Sequence, residues 1–248
     1  MLLQKYFTIL IEVNDPVIIQ ERNHYWRLIW VGSIMPLGVY SYLIYLLNSF
    51  LQTAPLLKVF VPSVNFFIIV SGYFVAKELV PGGYSHLKQA ICHLGRIRTK
   101  KGAKNLPSSG IFASIFFLQS TNLILLGSEM FQMGRENWVW AILTAMCFIS
   151  VVCYIMTGIT PIDLFEPFHT NMGLLSVFFS TAFVLFILYM LWVLGIAAPW
   201  MPVFAIIISI VIFIYMKGYI QDYRYTGSFQ KVWLLVMNIA FVLLYLTL

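Results

Sequence analysis

Three stretches of the chain gather the side chains capable of acid–base, ligand or ion-pair chemistry. Ser85, His86 and His93 lie in Pro81–Pro107, Asp163, Glu166 and His169 in Thr160–Asn171, and Asp222 and Arg224 in Lys217–Gln230. The run Pro161-Ile-Asp-Leu-Phe-Glu-Pro-Phe-His169 is the most constrained, because its two prolines are expected to hold it out of helix while Asp163 and His169 flank a short turn. A carboxylate within reach of an imidazole orients the ring and fixes its tautomer, as general-base catalysis and metal ligation both require. His86, Asp163 and His169 are therefore the candidate catalytic set. The same spacing also fits plain capping, with Asp163, Glu166 or Thr170 at the amino end of the following helix and His169 as a polar interfacial residue.

His86 and His93 would share a face if Leu87–Leu94 were helical. Together with His169 and Asp163 they would make a metal site of the three-histidine or histidine-plus-carboxylate kind. Their spacing matches no recognised ligand motif, so no metal and no cofactor is expected. Cys92, Cys147 and Cys153 show no CxxC or zinc-type spacing and imply no disulfide framework.

These loops must be carried by membrane helices. Of the 248 residues, 61% are hydrophobic and 10% charged, too little charge to coat a water-facing surface. About 20 apolar residues of helix cross a bilayer core, and seven windows qualify: Leu28–Phe50, Leu57–Ala76, Ile111–Met130, Trp138–Gly158, Met172–Leu194, Pro202–Met216 and Val232–Leu248. The expected fold class is all-α, a polytopic bundle of about seven transmembrane helices. Residues 1–26 form an interfacial amino-terminal segment without the features of a signal peptide, and 27–248 a single bundle. All seven tryptophans fall near window ends, where an aromatic belt would sit.

Lys and Arg divide unevenly between the two sides. With the amino terminus inside, the cytoplasmic face holds thirteen and the other face only Lys58 and Arg135. The amino terminus is expected in the cytoplasm and the carboxyl terminus outside. Arg96, Arg98, Lys100, Lys101 and Lys104 form a basic run suited to anionic headgroups. A net charge of +6 carried in such loops gives no reason to expect nucleic acid.

No Asp, Glu, Lys, Arg or His stands at the centre of a window, and no internal repeat is evident. Both facts count against an ion-coupled transporter. Gln119, Ser120, Thr121 and Asn122 crowd one turn of the third window, a cluster expected to bond neighbouring helices and to be buried from lipid.

The segment Pro81-Gly-Gly-Tyr-Ser-His-Leu-Lys-Gln-Ala-Ile-Cys-His-Leu-Gly95 resembles the first loop of a family of bacterial and archaeal six-helix membrane proteins, catalogued as domain of unknown function nine hundred and ninety-eight, in which tyrosine-serine-histidine precedes leucine-glycine. Pro161-x-Asp163 with His169 resembles the family's second loop, and Gln230-Lys231 its closing motif; the likeness covers about Leu57 to Leu248. The family looks distantly similar to the Frag/DRAM/Sfk proteins, among them a Golgi protein needed for remodelling the lipid of GPI anchors. The resemblance implies a six-helix core, a prokaryotic cytoplasmic membrane and work at lipid headgroups. Two departures stand out. Cys92 and His93 occupy positions where the family usually has serine and an acid, and Leu28–Phe50 is an added helix.

The leading expectation is a lipid-handling membrane protein, with His86, Asp163 and His169 at an interfacial pocket and Ser85, Arg96, Arg98, Lys100, Lys101 and Arg224 binding headgroups. The rival is a structural or assembly subunit, whose partner is another membrane protein or a second copy of the chain. A small-molecule transporter comes third. Neither enzyme nor non-enzyme follows from these residues.

Overall fold

The computed structural model describes residues 55–99, 102–133, 138–196, 198–220 and 226–247. The interfacial segment expected over 1–26 and the added helix over Leu28–Phe50 lie outside them. Among the described residues there are six α-helices and no strand: α1 Pro55–Glu78, α2 Leu106–Met133, α3 Trp138–Ile159, α4 Ile162–Val193, α5 Trp200–Ile220 and α6 Thr226–Thr247. All six are long and apolar enough to cross a membrane. The described residues are thus all-α, with the helices of an integral membrane bundle.

Each helix packs on the next in sequence and α6 returns to α1, closing a ring. From α2 to α6 short connections force this order, because successive helices then run antiparallel side by side, while the longer loop 79–105 joins α1 to α2. α2 also reaches across to α6 and is the most enclosed helix, whereas α1 and α5 are the most open. The loop 79–105 folds back over one end of the ring, and its five-residue 3-10 turn, Ile91–Gly95, packs against α2, α4 and α6.

In the Gln119–Asn122 turn Asn122 joins helices as expected, whereas Ser120 and Thr121 donate to carbonyls of α2 itself. Gln119, Ser120 and Asn122 are all buried. Asn122 accepts from Asn65 of α1 at 2.7 Å through its side chain, and from the Tyr245 hydroxyl of α6 at 3.2 Å through its carbonyl. An amide facing acyl chains without a partner would cost several kcal/mol, so such residues collect on the inward face.

Three expectations are corrected. The prolines do not hold 161–169 out of helix. Pro161 is the extended N-cap residue (φ −60°, ψ 135°), α4 begins at Ile162, and the helix kinks at Phe165 (φ −133°, ψ 37°). The kink puts Pro167 in the first turn of the straight part, where its missing N–H leaves no bond unmade. His86 and His93 share no helix face, because only Ile91–Gly95 is helical there. Trp138 and Trp192 are exposed as a belt requires, but Trp140 and Trp233 are buried. The Trp233 indole N–H donates to Thr181 at 3.0 Å and its ring stacks on Tyr154, so core packing claims it.

The far end of α4 closes with a glycine. Gly195 adopts φ 73°, its N–H reaches the Trp192 carbonyl, and the Ile196 N–H reaches that of Leu191. This paired closure satisfies the last carbonyls of α4 and reverses the chain toward α5.

Candidate functional site at the loop end of the bundle

Side chains from three helices tie down the loop 79–105. From α6, Gln230 accepts the Ile91 N–H at 2.9 Å, Ser228 reaches the carbonyls of His86 and Leu87, and Lys231 donates to the carbonyls of His86 and Gln89 at 2.5 and 2.7 Å. The Lys231 ammonium also lies 5.2 Å above the Tyr84 ring. Gly227 permits this approach: a Cβ there would stand 2.6 Å from the Gln89 backbone. The Gln230-Lys231 pair, visible in the sequence as a motif, is thus the loop's anchor.

From α4, the Asp163 carboxylate accepts the backbone N–H groups of Ile97 and Arg98 at 3.1 and 2.9 Å. These amides lead into a tight turn in which Arg98 and Lys104 form an isolated antiparallel bridge, with Asn105 N–H on the Ile97 carbonyl at 2.7 Å. Arg98 and Lys104 therefore sit on a small hairpin pinned at its base by Asp163. Lys100, Lys101 and Arg224 lie outside the described residues.

From α1, Tyr73 pairs its hydroxyl with His86 Nδ1 at 2.5 Å, and Tyr73, Phe74 and Tyr84 surround the imidazole. Burial and the nearby ammonium groups of Lys77 and Lys231 hold His86 below the ordinary histidine value. Burial and Tyr73 push the Tyr84 phenol up. Ser85 is exposed, with its N–H on the Gln89 side chain at 2.7 Å.

His169 is fully buried within α4. Its Nδ1 lies 2.5 Å from the carbonyl oxygen of Thr160, across the break between α3 and α4, and its ring stacks on Phe112 of α2. A carbonyl only accepts, so Nδ1 carries the proton and Nε2 of the neutral ring is left as a lone pair. Nε2 is buried and completes no hydrogen bond of ordinary geometry. The polar group beside the ring is the thiol of Cys92, in electrostatic and side-chain contact with it.

Cys92 is held by the 3-10 turn, and its Sγ accepts from the Gln230 amide at 3.4 Å. Burial opposes ionisation of this thiol, but the positive charge His169 acquires on protonation and the Gln230 amide outweigh it and hold the thiol below the ordinary cysteine value.

Both residues line a cavity of about 460 Å³ between α4, α5, α6 and the loop. Lys88 and His93 contribute from the loop, Gly173 and Leu174 from α4, Tyr215 and Tyr219 from α5, and Gln230 from α6. Its lining mixes polar and apolar groups at the level where the helices meet the loop. A much smaller void, about 20 Å³, continues inward past Cys92 and Gly173 to Tyr154 and Trp233.

Of the candidate catalytic set, only His169 lines this cavity. His86 is engaged by Tyr73 at the α1–α6 corner, Asp163 clamps the hairpin, and no hydrogen bond joins the three. Among the described residues, no group of three or more His, Cys, Asp and Glu is arranged to hold a metal. Cys92 and Gln230 are the residues the spacing argument missed. The visible signals were Cys92 itself, a thiol in a stretch that also holds His86 and His93, and the Gln230-Lys231 pair.

No protein-family model, curated protein or solved structure matches the chain.

Proposed function

We propose that this protein binds a membrane lipid at its headgroup and ester region, in the cavity beneath the loop 79–105, and processes it there. The observation that carries this reading is the 460 Å³ cavity where the membrane helices meet the loop, with His169 and Cys92 in its wall and Lys88 among its lining. Its volume falls in the range of about 300–1,000 Å³ usual for small-ligand sites. The likeness of Pro81–Gly95 to the first loop of a family distantly similar to lipid-remodelling proteins points the same way. The hairpin bearing Arg98 and Lys104 offers cations to anionic headgroups.

In this reading the loop faces the cytoplasm of a prokaryotic cell, the amino terminus lies on the same side, and a seventh span over Leu28–Phe50 puts the carboxyl terminus outside. The support is the thirteen-to-two division of Lys and Arg. A cysteine placed at Gly102 is then labelled from the cytoplasmic side and one at Gly195 from the other; labelling of Gly102 from outside rejects the orientation.

The test of function is purification in mild detergent, which strips bulk lipid, followed by mass spectrometry of the lipid that stays bound. Wild type retains phospholipid in stoichiometric amount, and Leu174→Trp, which enlarges a side chain in the cavity wall, loses it while staying monodisperse. Equal retention by both rejects the cavity as the lipid site.

The second reading is an assembly subunit. It draws on the open faces of α1, with Phe60, Phe67 and Phe74 exposed, and of α5, with Ile206, Ile210 and Phe213 exposed. It requires a larger complex on native gels from mild detergent.

A further inference from the structure

We propose that Cys92 is an acyl-accepting nucleophile and His169 its base, so that the cavity transfers the acyl group of an ester lipid through a thioester on Cys92. This deepens the lipid-binding reading and rests on it.

Four parts of such a site are present. The thiol stands on a rigid 3-10 turn and borders the cavity. The imidazole has one nitrogen committed to the Thr160 carbonyl, while the other is fully buried, without a hydrogen-bond partner, in a ring that lines the same cavity. A base oriented by a third group and set beside a nucleophile is the general arrangement of covalent acyl transfer. The Gln230 amide, already within 3.4 Å of Sγ, provides a donor where an oxyanion would develop. The cavity lies between the loop and the adjoining parts of α4, α5 and α6, and Ile162 and Leu174 offer apolar surface in its wall for an acyl chain.

In the forward step the Sγ proton passes to His169 Nε2 and sulfur bonds to the ester carbonyl carbon. The carbon–oxygen bond then breaks, and the leaving alkoxide takes the proton from Nε2. In the second step water gives a proton to Nε2 and its oxygen bonds to the thioester carbon. The carbon–sulfur bond breaks, and the proton on Nε2 returns to sulfur. The balance is ester plus water giving fatty acid and alcohol, and no redox partner is needed.

The other titratable groups acting on the pair are Asp163 on α4, Tyr215 on α5, and Tyr84 on the loop, with Lys88 and His93 also on the cavity. Cys147 and Cys153 lie apart from the cavity lining and serve as internal controls.

The full chain is reconstituted in phosphatidylethanolamine–phosphatidylglycerol vesicles containing phosphatidylglycerol with an alkyne-tagged palmitoyl chain. Samples are quenched in acid, and both the Cys92 peptide and free tagged palmitate are followed by mass spectrometry. Wild type is expected to show a hydroxylamine-labile palmitoyl mass on Cys92 or release of palmitate, both absent from Cys92→Ala. His169→Gln is expected to slow the reaction about a hundredfold. An independent reading on wild type is the pH profile of Cys92 alkylation by iodoacetamide, with a midpoint below that of a free thiol; an ordinary midpoint, or no alkylation, overturns the pair. If a photoactivatable phospholipid crosslinks to Thr170 or Leu174 while neither adduct nor palmitate appears, the acyl-transfer inference falls and lipid binding stands. If crosslinks, adduct and palmitate are all absent, both fall.

Discussion

Lys231 on α6 and His86 on the loop 79–105 are joined through the backbone: the ammonium donates to the His86 carbonyl oxygen, not to its ring. The imidazole is thereby free to pack against Tyr73 and Tyr84, and the loop is fastened to the first two turns of α6. Lys231→Met removes the charged donor from the carbonyls of His86 and Gln89, which keep only the hydroxyls of Ser228 and Tyr84. A hydrogen bond from a charged group contributes about 1.5–3 kcal/mol, so the midpoint of thermal unfolding in detergent should fall. Lys217→Met, at an exposed position on α5, serves as the reference and should leave the midpoint unchanged.

Gly227→Ala and Gly110→Ala should act in opposite directions. At Gly227 the added methyl meets the Gln89 backbone at 2.6 Å and pushes the loop away from α6, at a cost of about 1–3 kcal/mol. At Gly110, on α2, a methyl meets open space and the better helix former stabilises by up to about 1 kcal/mol. Chemical denaturation of the two variants beside wild type checks the sign of each. Destabilisation by both would mean that Gly227 has no special role.

Asp163→Asn should loosen the basic hairpin without unfolding the bundle. One carboxylate oxygen serves each of two amides, and asparagine has a single acceptor oxygen for both. Limited trypsin treatment is expected to cut the variant faster at Arg98 and Lys104, with the helices intact by circular dichroism. Unchanged cleavage would show that the hairpin is held by other bonds.

His86 makes stability depend on pH in a defined direction. Its folded pKa is depressed by burial and by Lys77 and Lys231, so just below about pH 6.5 the unfolded chain binds more protons than the folded one. Stability is therefore fully present above that value and declines as pH falls through it. Scanning fluorimetry between pH 7.5 and 5 should show the unfolding midpoint falling with acid, and His86→Gln should flatten the part of that fall due to this residue. An identical slope in the variant would assign the titration elsewhere.

The helices of this protein are written in local composition. Six apolar windows became α1 to α6, because partition of a segment into hydrocarbon is a sum over its own residues and needs no knowledge of its neighbours. Inward placement of Gln119, Ser120 and Asn122 was legible for the same reason, since amides have no solvent in a bilayer. What spacing could not decide is which polar side chains meet. Asp163 and His169 lie six residues apart in a proline-bounded run that reads as one site. The kink at Phe165 instead sends the carboxylate out to the hairpin amides and turns the imidazole in toward Cys92. Trp140 and Trp233 likewise carry belt-like positions in the sequence and core positions in the bundle. Pairing of this kind is set by helix rotation and by where a distant loop returns, and those follow from packing six helices against one another, a non-local property that no window of residues contains.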